Sequence, residues 1–392
     1  MLWYNIELVG EHMFIMYDDK KTSEEILRKS KLLGSIELDK NKSYLIKGDN
    51  FDILSKINNG LNEKVDLIYI DPPFSTDNIF TITKDRSSTI SRAKDGYIAY
   101  GDDMGVEEYI EFIRERLIIM RELLSDEGSI YLHIDSKIGH YIRMIMDEIF
   151  GVENFKNDIA RIKCNPKNFK RKAYGNEKDM ILFYAKNSKK NIFNNIKIPL
   201  NEFAKERLFC KVDKRGERYT TVPCHAPGET QKGVTGGKWK GMLPPEGRHW
   251  RTDPKKLDEL DEMGLIEWSK TGNPRIIKYA YEHKGKKMQD IWEYKDPQYP
   301  IYPTEKNMEM AEMIIKQSSK ESSTVMDCFA GSGTTLHAAA KLNRRWIGID
   351  QSQVAIDIVR KRLKEYEYEY AEFTGDKVSL EENDVPLQLK LL

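Results

Sequence analysis

The chain has 392 residues, of which 40% are hydrophobic and 32% are charged, and its 63 basic side chains balance 63 acidic ones. This length allows two domains, each with a sizeable core. No apolar run is long enough to cross a membrane and the acidic residues near the start do not fit a secretory signal peptide, so we expect a cytoplasmic protein without a membrane partner. The four cysteines lack the paired spacing of zinc ligands, so no metal is predicted.

The basic residues are concentrated in the middle of the chain. Residues 161–290 contain 30 Lys and Arg against 16 Asp and Glu, a surplus of 14 that the flanking segments offset. A localised basic segment is typical of a surface that binds phosphates. A solvated lysine-rich surface would give the same counts, so charge by itself leaves both interpretations open.

The first half of the chain alternates between apolar strand-like runs and amphipathic helical runs. This alternation predicts a fold of the α/β class, with an open parallel sheet covered by helices on both faces. An N-terminal extension, 1–40, contains one predicted helix near 23–33. The predicted strands that follow are 43–47, 65–70, 129–134, 158–163 and 180–184, and the predicted helices are 51–57, 106–124 and 137–150.

The alternation stops in the segment 187–295, whose Gly, Pro, Lys and Trp residues show no sustained period. We therefore predict an inserted domain there, between two halves of one domain at 41–186 and 296–370. The polar segment 371–392 is predicted to be a loosely held tail. Between the insertion and the tail, the predicted elements are a helix at 304–317, a strand at 324–328, a helix at 334–342, a strand at 345–349 and a helix at 352–365.

The strand predicted at 65–70 leads directly into the sequence Asp71, Pro72, Pro73, Phe74. Two consecutive prolines cannot continue a hydrogen-bonded ladder, so the chain must leave the sheet at Asp71. A carboxylate and a free carbonyl accept hydrogen bonds, and an aromatic ring stacks on a flat base. This combination suits recognition of an exocyclic amino group, although an ordinary strand-to-loop turn remains the alternative.

A glycine-rich turn follows the strand predicted at 324–328. It lacks the lysine of a Walker motif, and Leu336 occupies the last glycine position of a dinucleotide motif, so neither phosphate-binding pattern is complete. Asp350 ends a later strand, where an acid suits ribose hydroxyls. A nucleoside without a required phosphate fits this arrangement, which indicates S-adenosylmethionine; a plain βα turn is the alternative. The candidate residues of the turn are Asp327, Phe329, Ala330, Gly331, Ser332, Gly333 and Thr334.

A third candidate motif lies before the strand predicted at 324–328. Thr304 and Lys306 lie at the predicted start of the helix 304–317. Proline and threonine are good helix-start residues, which is a sufficient reason for their presence. Used functionally, Thr304 and Lys306 would face the methionine carboxylate of the cofactor.

Together these motifs resemble those of the DNA amino-methyltransferases, which modify N6 of adenine or N4 of cytosine. The Asp71 motif precedes the glycine motif, an order similar to the β class of that family and to the Mod subunits of type III restriction systems. The resemblance covers 41–186 and 296–366, and Cys328 departs from the family's frequent proline. It implies a Rossmann-like S-adenosylmethionine-dependent methyltransferase sheet with circularly permuted motif order and an inserted target-recognition domain.

The resemblance also implies an activity: site-specific methylation of DNA in a restriction-modification or orphan system, with the target base rotated out of the duplex. Asp71 and the Pro72 carbonyl would accept hydrogen bonds from the amino group, and Phe74 would stack on the base. Asp49 would lie near the base or the cofactor. An acid at the first motif position favours adenine N6, with cytosine N4 as the alternative.

Double-stranded DNA is the implied substrate, and a homodimer and a restriction subunit are the further partners that the resemblance leaves open. Residues that read DNA are predicted in the insertion, where basic and aromatic side chains alternate. Tryptophans of this segment, including Trp239, are equally consistent with the core of a small domain. The candidate DNA-reading residues are Lys240, Arg248, His249, Trp250 and Arg251.

Three rival interpretations come from other classes. Cys224 follows a proline, as the nucleophile of cytosine-C5 methyltransferases does, but those enzymes place their glycines before the cysteine. Glutamine methyltransferases of translation factors use a related turn in the opposite motif order. A catalytically silent DNA-binding protein would not need an intact Asp71 motif and glycine turn, so the sequence favours an enzyme.

Overall fold

The computed structural model contains two compact units, one formed by 1–195 with 289–392 and the other by 196–288. The smaller unit lies within the segment 187–295 in which the sequence pattern stops. The residues that the structure describes are 5–9, 12–60, 64–73, 80–82, 87–88, 97–100, 105–166, 172–230, 233–300, 302, 305–374 and 377–380.

The larger unit is built around a ten-stranded sheet, counted over the described residues. The strands are β1 Tyr44–Lys47, β2 Val65–Ile70, β3 Leu124–Ile134, β4 Phe155–Ile162, β5 Lys178–Ala185, β6 Ile291–Trp292, β7 Thr324–Asp327, β8 Arg345–Asp350, β9 Glu369–Thr374 and β10 Lys377–Leu380. Their order in the sheet is β6-β4-β5-β3-β2-β7-β8-β1-β9-β10. Neighbours from β3 through β9 along this order pair in parallel, whereas β5 runs antiparallel to both β3 and β4.

Several helices begin where a polar side chain accepts a hydrogen bond from a free backbone N–H group. Thr22 and Glu25 form a capping box on the first helix, and Asn307 caps the seventh. The helices are α1 Ser23–Lys31, α2 Asn50–Gly60, α3 Val106–Leu123, α4 Gly139–Phe150, α5 Glu202–Leu208, α6 Pro254–Glu262, α7 Met308–Ser318, α8 Thr334–Lys341 and α9 Gln353–Arg362, with 3₁₀ turns at Val152–Asn154, Val234–Gly236 and Ala280–Glu282.

The core of the larger unit lies between the sheet and its helices. Ile68 and Ile70 of β2 are fully buried, and Ile113 and Leu117 of α3 belong to the same apolar cluster. A nearly continuous apolar strand is what a parallel sheet covered on both faces requires. The structure thus confirms the predicted α/β class with a mainly parallel sheet.

Strand order decides where the candidate residues meet. β2 lies between β3 and β7, and β7 pairs in parallel with β8. From β2 the chain continues to one side of the sheet, and from β7 it continues to the other. Ligands of open α/β sheets bind at the carboxyl ends of strands where the order reverses in this way. Asp71, Asp327 and Asp350 stand at the carboxyl ends of these three neighbouring strands.

The smaller unit has its own sheets and core. Four strands pair in the order Lys211–Val212, Arg218–Pro223, Pro274–Tyr279, Ile266–Trp268. Its apolar core contains Cys224, Trp239, Trp250, Leu257, Ile266 and Ile276. The short two-stranded pairs are Lys197–Ile198 with Lys286–Lys287 and His225–Pro227 with Arg248–Trp250.

Short hairpins complete the larger unit. Asn5–Val9 pairs with His12–Met16, so the N-terminal extension is not wholly irregular. Phe80–Ile82 pairs with both Ser87–Ser88 and Tyr97–Tyr100. Among the described residues, no helix is both long and apolar enough to cross a membrane.

Several predicted boundaries are wrong, including the following three. The helix predicted from Thr304 begins at Met308, because Asn307 supplies the N-cap. Strand β3 begins at Leu124 rather than Ser129, and its pairing with β2 has a register shift between Val65 and Leu67. The predicted loose tail is wrong for residues 371–374, the end of β9, a strand that pairs in parallel with β1 and buries Ala371 and Phe373.

Candidate active site

A cavity of about 580 Å³ opens at the carboxyl edge of the sheet. It is lined both by the turn after β2 and by the glycine-rich turn after β7, so the fold brings the two main sequence motifs together. Gly333 is not among the residues that line it. Phe74 and Thr304 lie outside the described residues. The predicted residues on its wall are Asp49, Asp71, Pro72, Pro73, Lys306, Asp327, Phe329, Ala330, Gly331, Ser332, Thr334 and Asp350.

Asp71 is held from one side by an ion pair. Lys306 Nζ lies 2.5 Å from Asp71 Oδ2, and the two side chains are 10% and 16% exposed. The other oxygen, Oδ1, is buried, and no described donor lies within hydrogen-bond distance of it. Each carboxylate oxygen has two lone pairs, so Oδ2 can accept a further hydrogen bond beside that of Lys306, whereas the unused acceptor capacity of Oδ1 faces the buried side, towards His133.

A buried polar chain lies behind Asp71. The Tyr69 hydroxyl is 3.0 Å from His133 Nδ1, and His133 Nε2 is 3.1 Å from Asp179 Oδ2. Lys163 Nζ donates to Asp179 Oδ1 over 2.5 Å. His133 Nδ1 lies 3.8 Å from Asp71 Oδ1. Three neighbouring strands, β2, β3 and β5, therefore supply one connected set of titratable groups.

The glycine-rich turn depends on backbone conformations that favour glycine. Gly331 has φ of 48° and Gly333 has φ of 72°, both in the left-handed region. A Cβ at Gly333 would come within 2.8 Å of Val359 in α9, whereas one at Gly331 would lie 3.4 Å from the Tyr302 ring. Gly333 therefore serves close packing of α8 on α9, and Gly331 shapes the cavity wall.

Asp350 joins the turn to β8. Its Oδ2 accepts from the Gly331 N–H over 2.8 Å, and its Oδ1 accepts from the Ser352 N–H over 2.8 Å. Burial raises the pKa of this carboxyl above its usual value, although these N–H groups oppose the shift. The carboxylate thus fixes the turn as well as lining the cavity.

Asp327 is buried, and its burial raises the pKa of its carboxyl to about 7. The Thr335 hydroxyl and the Phe329 N–H, which donates over 3.0 Å, act in the opposite direction. Negative charge on Asp71 and Asp350 adds to the rise. A cation in this cavity would favour the ionised form of Asp327.

Asp49 belongs to a rigid corner of the cavity. Arg116 Nη2 donates to Asp49 Oδ2 over 3.2 Å, and Arg116 Nε donates to Asn50 Oδ1 over 2.5 Å. Asn50 Nδ2 donates in turn to the Cys328 carbonyl over 2.9 Å. The Arg116 guanidinium stacks 3.6 Å from the centre of the Phe112 ring. These contacts connect α2 and α3 to the glycine-rich turn.

The segment before α7 is fixed by a second arginine. Tyr302 is buried and packs on Ala355 of α9. Glu305 forms an ion pair with Arg362, which also donates to the Thr334 hydroxyl over 2.8 Å. Lys306 is thereby presented to the cavity from a non-helical segment, although the sequence predicted a helix there.

Sequence reasoning missed several of these residues, including His133, Asp179, Asn50, Arg116 and Arg362. A histidine inside the apolar strand β3 was the available signal, since a buried polar group needs a partner. Its partners come from β2 and β5, and the order of those strands could not be deduced from the sequence. No cluster of three or more His, Cys, Asp or Glu residues arranged to hold a metal occurs in the described part of the chain.

The structure of the smaller unit shows that the prediction is wrong for one of the candidate DNA-reading residues. Trp250 is 2% exposed, and its indole N–H donates to the Gly237 carbonyl over 2.8 Å, so it belongs to the core and not to a surface. Lys240, Arg248 and Arg251 are exposed, and His249 is half-buried.

Cys224 is fully buried in the same small core. Burial raises the pKa of its thiol to about 11. A nucleophilic cysteine instead needs a lowered pKa and access to its substrate. The structure therefore gives no support to a cytosine-C5 nucleophile at this position.

The charges on the cavity wall suit a cationic ligand. Two lysines among its described lining residues, Lys163 and Lys306, face eight acids. S-adenosylmethionine carries a sulfonium, an ammonium and one carboxylate, so its net charge is positive. The cavity volume also falls in the range of small-molecule sites. The acids are Asp49, Asp71, Asp135, Asp179, Asp296, Glu305, Asp327 and Asp350.

Comparison with known proteins decides the family. The N6/N4 methyltransferase profile, described as DNA methylase, matches residues 65–361, well over half of the chain. The chain belongs to the N6/N4 DNA methylase family. The resemblance drawn from the motifs is therefore confirmed, and this DNA methylase family member carries both of its main motifs on one cavity.

Two curated relatives and one solved structure illustrate the similarity. Type II methyltransferase M.EcaI of Enterobacter cloacae is 45% identical over 309 residues, covering 77% of this chain and 65% of that protein. The StyLTI Mod subunit of Salmonella typhimurium, from a type III restriction-modification enzyme, is 26% identical over 393 residues, covering 87% and 56%. A structure described as "crystal structure of M1.HpyAVI-SAM complex" gives a TM-score of 0.43 at 19% identity, covering 82% and 98%. This family member thus spans less than two thirds of either curated relative.

Proposed function

We propose that this family member transfers a methyl group from S-adenosylmethionine to the N6 amino group of adenine in double-stranded DNA. The observation that carries the proposal is the single cavity lined by both Asp71 and the glycine-rich turn. A hydrogen-bond acceptor for the amino group and a binding site for a nucleoside are useful together only if the target base and the cofactor meet in the same cavity.

The cofactor would be held by the half of the cavity formed by β7, β8 and the segment before α7. Asp350 would accept hydrogen bonds from ribose hydroxyls, and Gly331 would allow close approach of the backbone. Asp327 would ionise beside the cationic ligand, and Lys306 would contact the methionine carboxylate. Thr304, which the sequence places with Lys306, remains a prediction. When bound, the cofactor supplies an electrophilic methyl group.

The base would be held by the turn after β2. Asp71 and the Pro72 carbonyl would accept the two amino hydrogens, which directs the nitrogen lone pair towards the methyl donor. Phe74 would stack on the extruded base and return about 1–3 kcal/mol of the unstacking cost. Asp49, held by Arg116, would lie at the boundary between base and cofactor.

The choice of adenine rests on the acid that opens the motif. The resemblance associates an acid at this position with adenine N6 and serine with many cytosine N4 enzymes. Cytosine N4 methylation is the second candidate, because the family includes both activities. A catalytically silent DNA-binding protein is the candidate from another class.

DNA binding is assigned to the smaller unit, through Lys240, Arg248, His249 and Arg251. Exposed basic side chains of this kind bind phosphates or base edges. A restriction subunit and a second copy of the chain are further proposed partners. Mod subunits are named as parts of type III restriction-modification enzymes, and one of them is among the relatives.

Expression in a host without DNA methylation, followed by single-molecule sequencing of its DNA, tests the proposal. We expect N6-methyladenine at one recurring sequence. N4-methylcytosine would select the second candidate. If the host DNA is unmodified although the purified protein binds both S-adenosylmethionine and DNA, the result would support the catalytically silent DNA-binding protein.

A further inference from the structure

Two proton acceptors face each other behind the candidate active site. Asp71 Oδ1 and His133 Nδ1 are 3.8 Å apart, and both side chains are largely removed from water. No described donor lies within hydrogen-bond distance of Asp71 Oδ1. A buried carboxylate oxygen without a donor is costly, and one proton shared by these two atoms, after they close to about 3 Å, would remove that cost.

The hydrogen bonds around His133 define its tautomer. Asp179 accepts from Lys163 over 2.5 Å and lies 3.6 Å from the Arg161 guanidinium. Burial opposes ionisation of Asp179, but hydrogen bonds from His133 and Lys163 outweigh it and hold the pKa of Asp179 well below its usual range. A carboxylate can only accept, so His133 Nε2 donates to it and Nδ1 carries the lone pair.

Tyr69 is the donor that meets this lone pair. Its hydroxyl lies 3.0 Å from His133 Nδ1. Burial raises the pKa of Tyr69 well above 10, so its hydroxyl keeps its proton. Because a hydroxyl can rotate, Tyr69 can release Nδ1 when another proton arrives.

We propose that His133 takes up, by way of Asp71, the proton that the target amino group loses during methylation. The proposal rests on the function proposed above. Methylation uses the nitrogen lone pair to form a nitrogen–carbon bond, while the carbon–sulfur bond breaks and leaves its electron pair on sulfur. The N–H bond then breaks as an O–H bond forms on Asp71.

Asp71 passes this proton inward. Once Oδ2 carries the proton, it separates from Lys306, and a half-turn about the Cβ–Cγ bond exchanges the two oxygens. The O–H then faces His133 Nδ1, and the two atoms close from 3.8 Å to hydrogen-bond distance for the transfer. The O–H bond breaks as the N–H bond forms, which restores the Asp71 carboxylate. His133 is therefore a positioning and proton-accepting residue that acts through Asp71.

The surrounding charges allow His133 to be neutral at rest and charged only transiently. Burial, together with the charge of Lys306, lowers the pKa of His133 below its usual value, so Nδ1 is free of a proton near neutral pH. The imidazolium would then lie between the carboxylates of Asp71 and Asp179, which stabilise it. The titratable and charged groups that face it are Tyr69, Asp71, Arg161, Lys163, Asp179 and Lys306.

His133→Gln tests the proposal, because the glutamine amide can still donate to Asp179 but cannot titrate. The exposed His140 on α4 provides the control variant His140→Gln. Single-turnover methylation of DNA is measured between about pH 5 and 8.5, alongside the cofactor dissociation constant. We expect His133→Gln to be at least about tenfold slower with unchanged cofactor affinity. The acid limb of the wild-type rate profile should disappear.

Asp179→Asn provides a second variant in case the first does not fold. Loss of the Asp179 charge makes the imidazolium less stable, so the acid limb should move to lower pH. ¹⁵N NMR of histidine-labelled protein without ligands gives an independent readout. We expect the histidine signal that disappears in His133→Gln to show the Nε2–H tautomer at pH 7 and to survive in His140→Gln.

Several results would overturn the proposal. They are a rate and pH profile of His133→Gln equal to wild type, an acid limb unmoved in Asp179→Asn, or a resting His133 in the Nδ1–H tautomer. Wild-type protein that methylates no DNA would instead contradict the proposed function. The NMR result does not depend on turnover, so the two failures are distinguishable.

Discussion

Lys306 Nζ lies 2.5 Å from Asp71 Oδ2, and this ion pair connects the segment before α7 to the turn after β2. The two residues are more than 230 positions apart in the sequence, in segments that the sequence analysis assigned to different ligands. Lys306 contacts one carboxylate oxygen of Asp71, and the other oxygen faces His133. The lysine therefore has a place in both halves of the proposed reaction.

The substitution Lys306→Met should slow methyl transfer and weaken cofactor binding. Without Lys306, the Asp71 carboxylate loses the contact that orients it in the cavity, so methyl transfer at saturating cofactor should slow at least about tenfold. Cofactor affinity, measured by calorimetry, should also fall if Lys306 contacts the methionine carboxylate. Lys316→Met, on the exposed face of α7, is the control. An unchanged rate and an unchanged cofactor affinity would contradict a role for Lys306 in methyl transfer or cofactor binding.

Replacement of Gly331 by alanine should reduce cofactor binding. Its φ of 48° is unfavourable for alanine, which costs about 1–2 kcal/mol, and its Cβ would face the Tyr302 ring at 3.4 Å. Gly216→Ala is the matched control, because Gly216 also has a positive φ but has open space around it. Both variants should lose similar stability in urea, whereas cofactor affinity should drop only in Gly331→Ala. Equal affinities would contradict the assigned turn.

Stability should depend on pH through Asp327. Its pKa rises from 3.8 to about 7 on folding, so the folded state binds the proton more tightly than the unfolded state. The contribution of this group is therefore fully present below about pH 4 and is lost as the pH rises through 7. Urea unfolding at pH 5 to 8 should show this decline in wild type and in Asp357→Asn, an exposed control on α9, but not in Asp327→Asn. Parallel curves for Asp327→Asn and wild type would refute this cause.

Replacement of Arg248 should affect DNA and not the cofactor. Arg248 is exposed on the smaller unit, and loss of a specific base contact costs about 1–3 kcal/mol. Fluorescence titration with DNA that carries the methylated sequence should show a loss of about tenfold or more. Arg207→Ala, another exposed arginine of that unit, is the control. Equal losses in both variants would mean that only overall charge matters.

Local sequence signals were sufficient for much of the larger unit. The strand predicted at 65–70 is β2, with the same bounds, because a buried parallel strand is apolar throughout and the prolines end it. The helix predicted at 106–124 ends one residue earlier, at Leu123. Both motifs were placed at strand ends, and parallel pairing brought them to one edge.

Other features depended on contacts that no local pattern carries. Residues 371–374 were assigned to a polar tail because charged residues surround them, although Ala371 and Phe373 are buried. Thr304 and its preceding proline suggested a helix start, but Asn307 caps α7 instead. The chain from Asp71 through His133 to Asp179 exists only because β2, β3 and β5 are neighbours in the sheet.

Methylation by wild type and by Asp71→Asn tests the central claim most directly. Each protein is incubated with labelled S-adenosylmethionine and unmethylated double-stranded DNA, and the digested nucleosides are separated and identified by mass spectrometry. We predict label in N6-methyladenine for wild type and its loss for Asp71→Asn, which should still bind the cofactor. Label that persists in Asp71→Asn at the wild-type level would contradict the account.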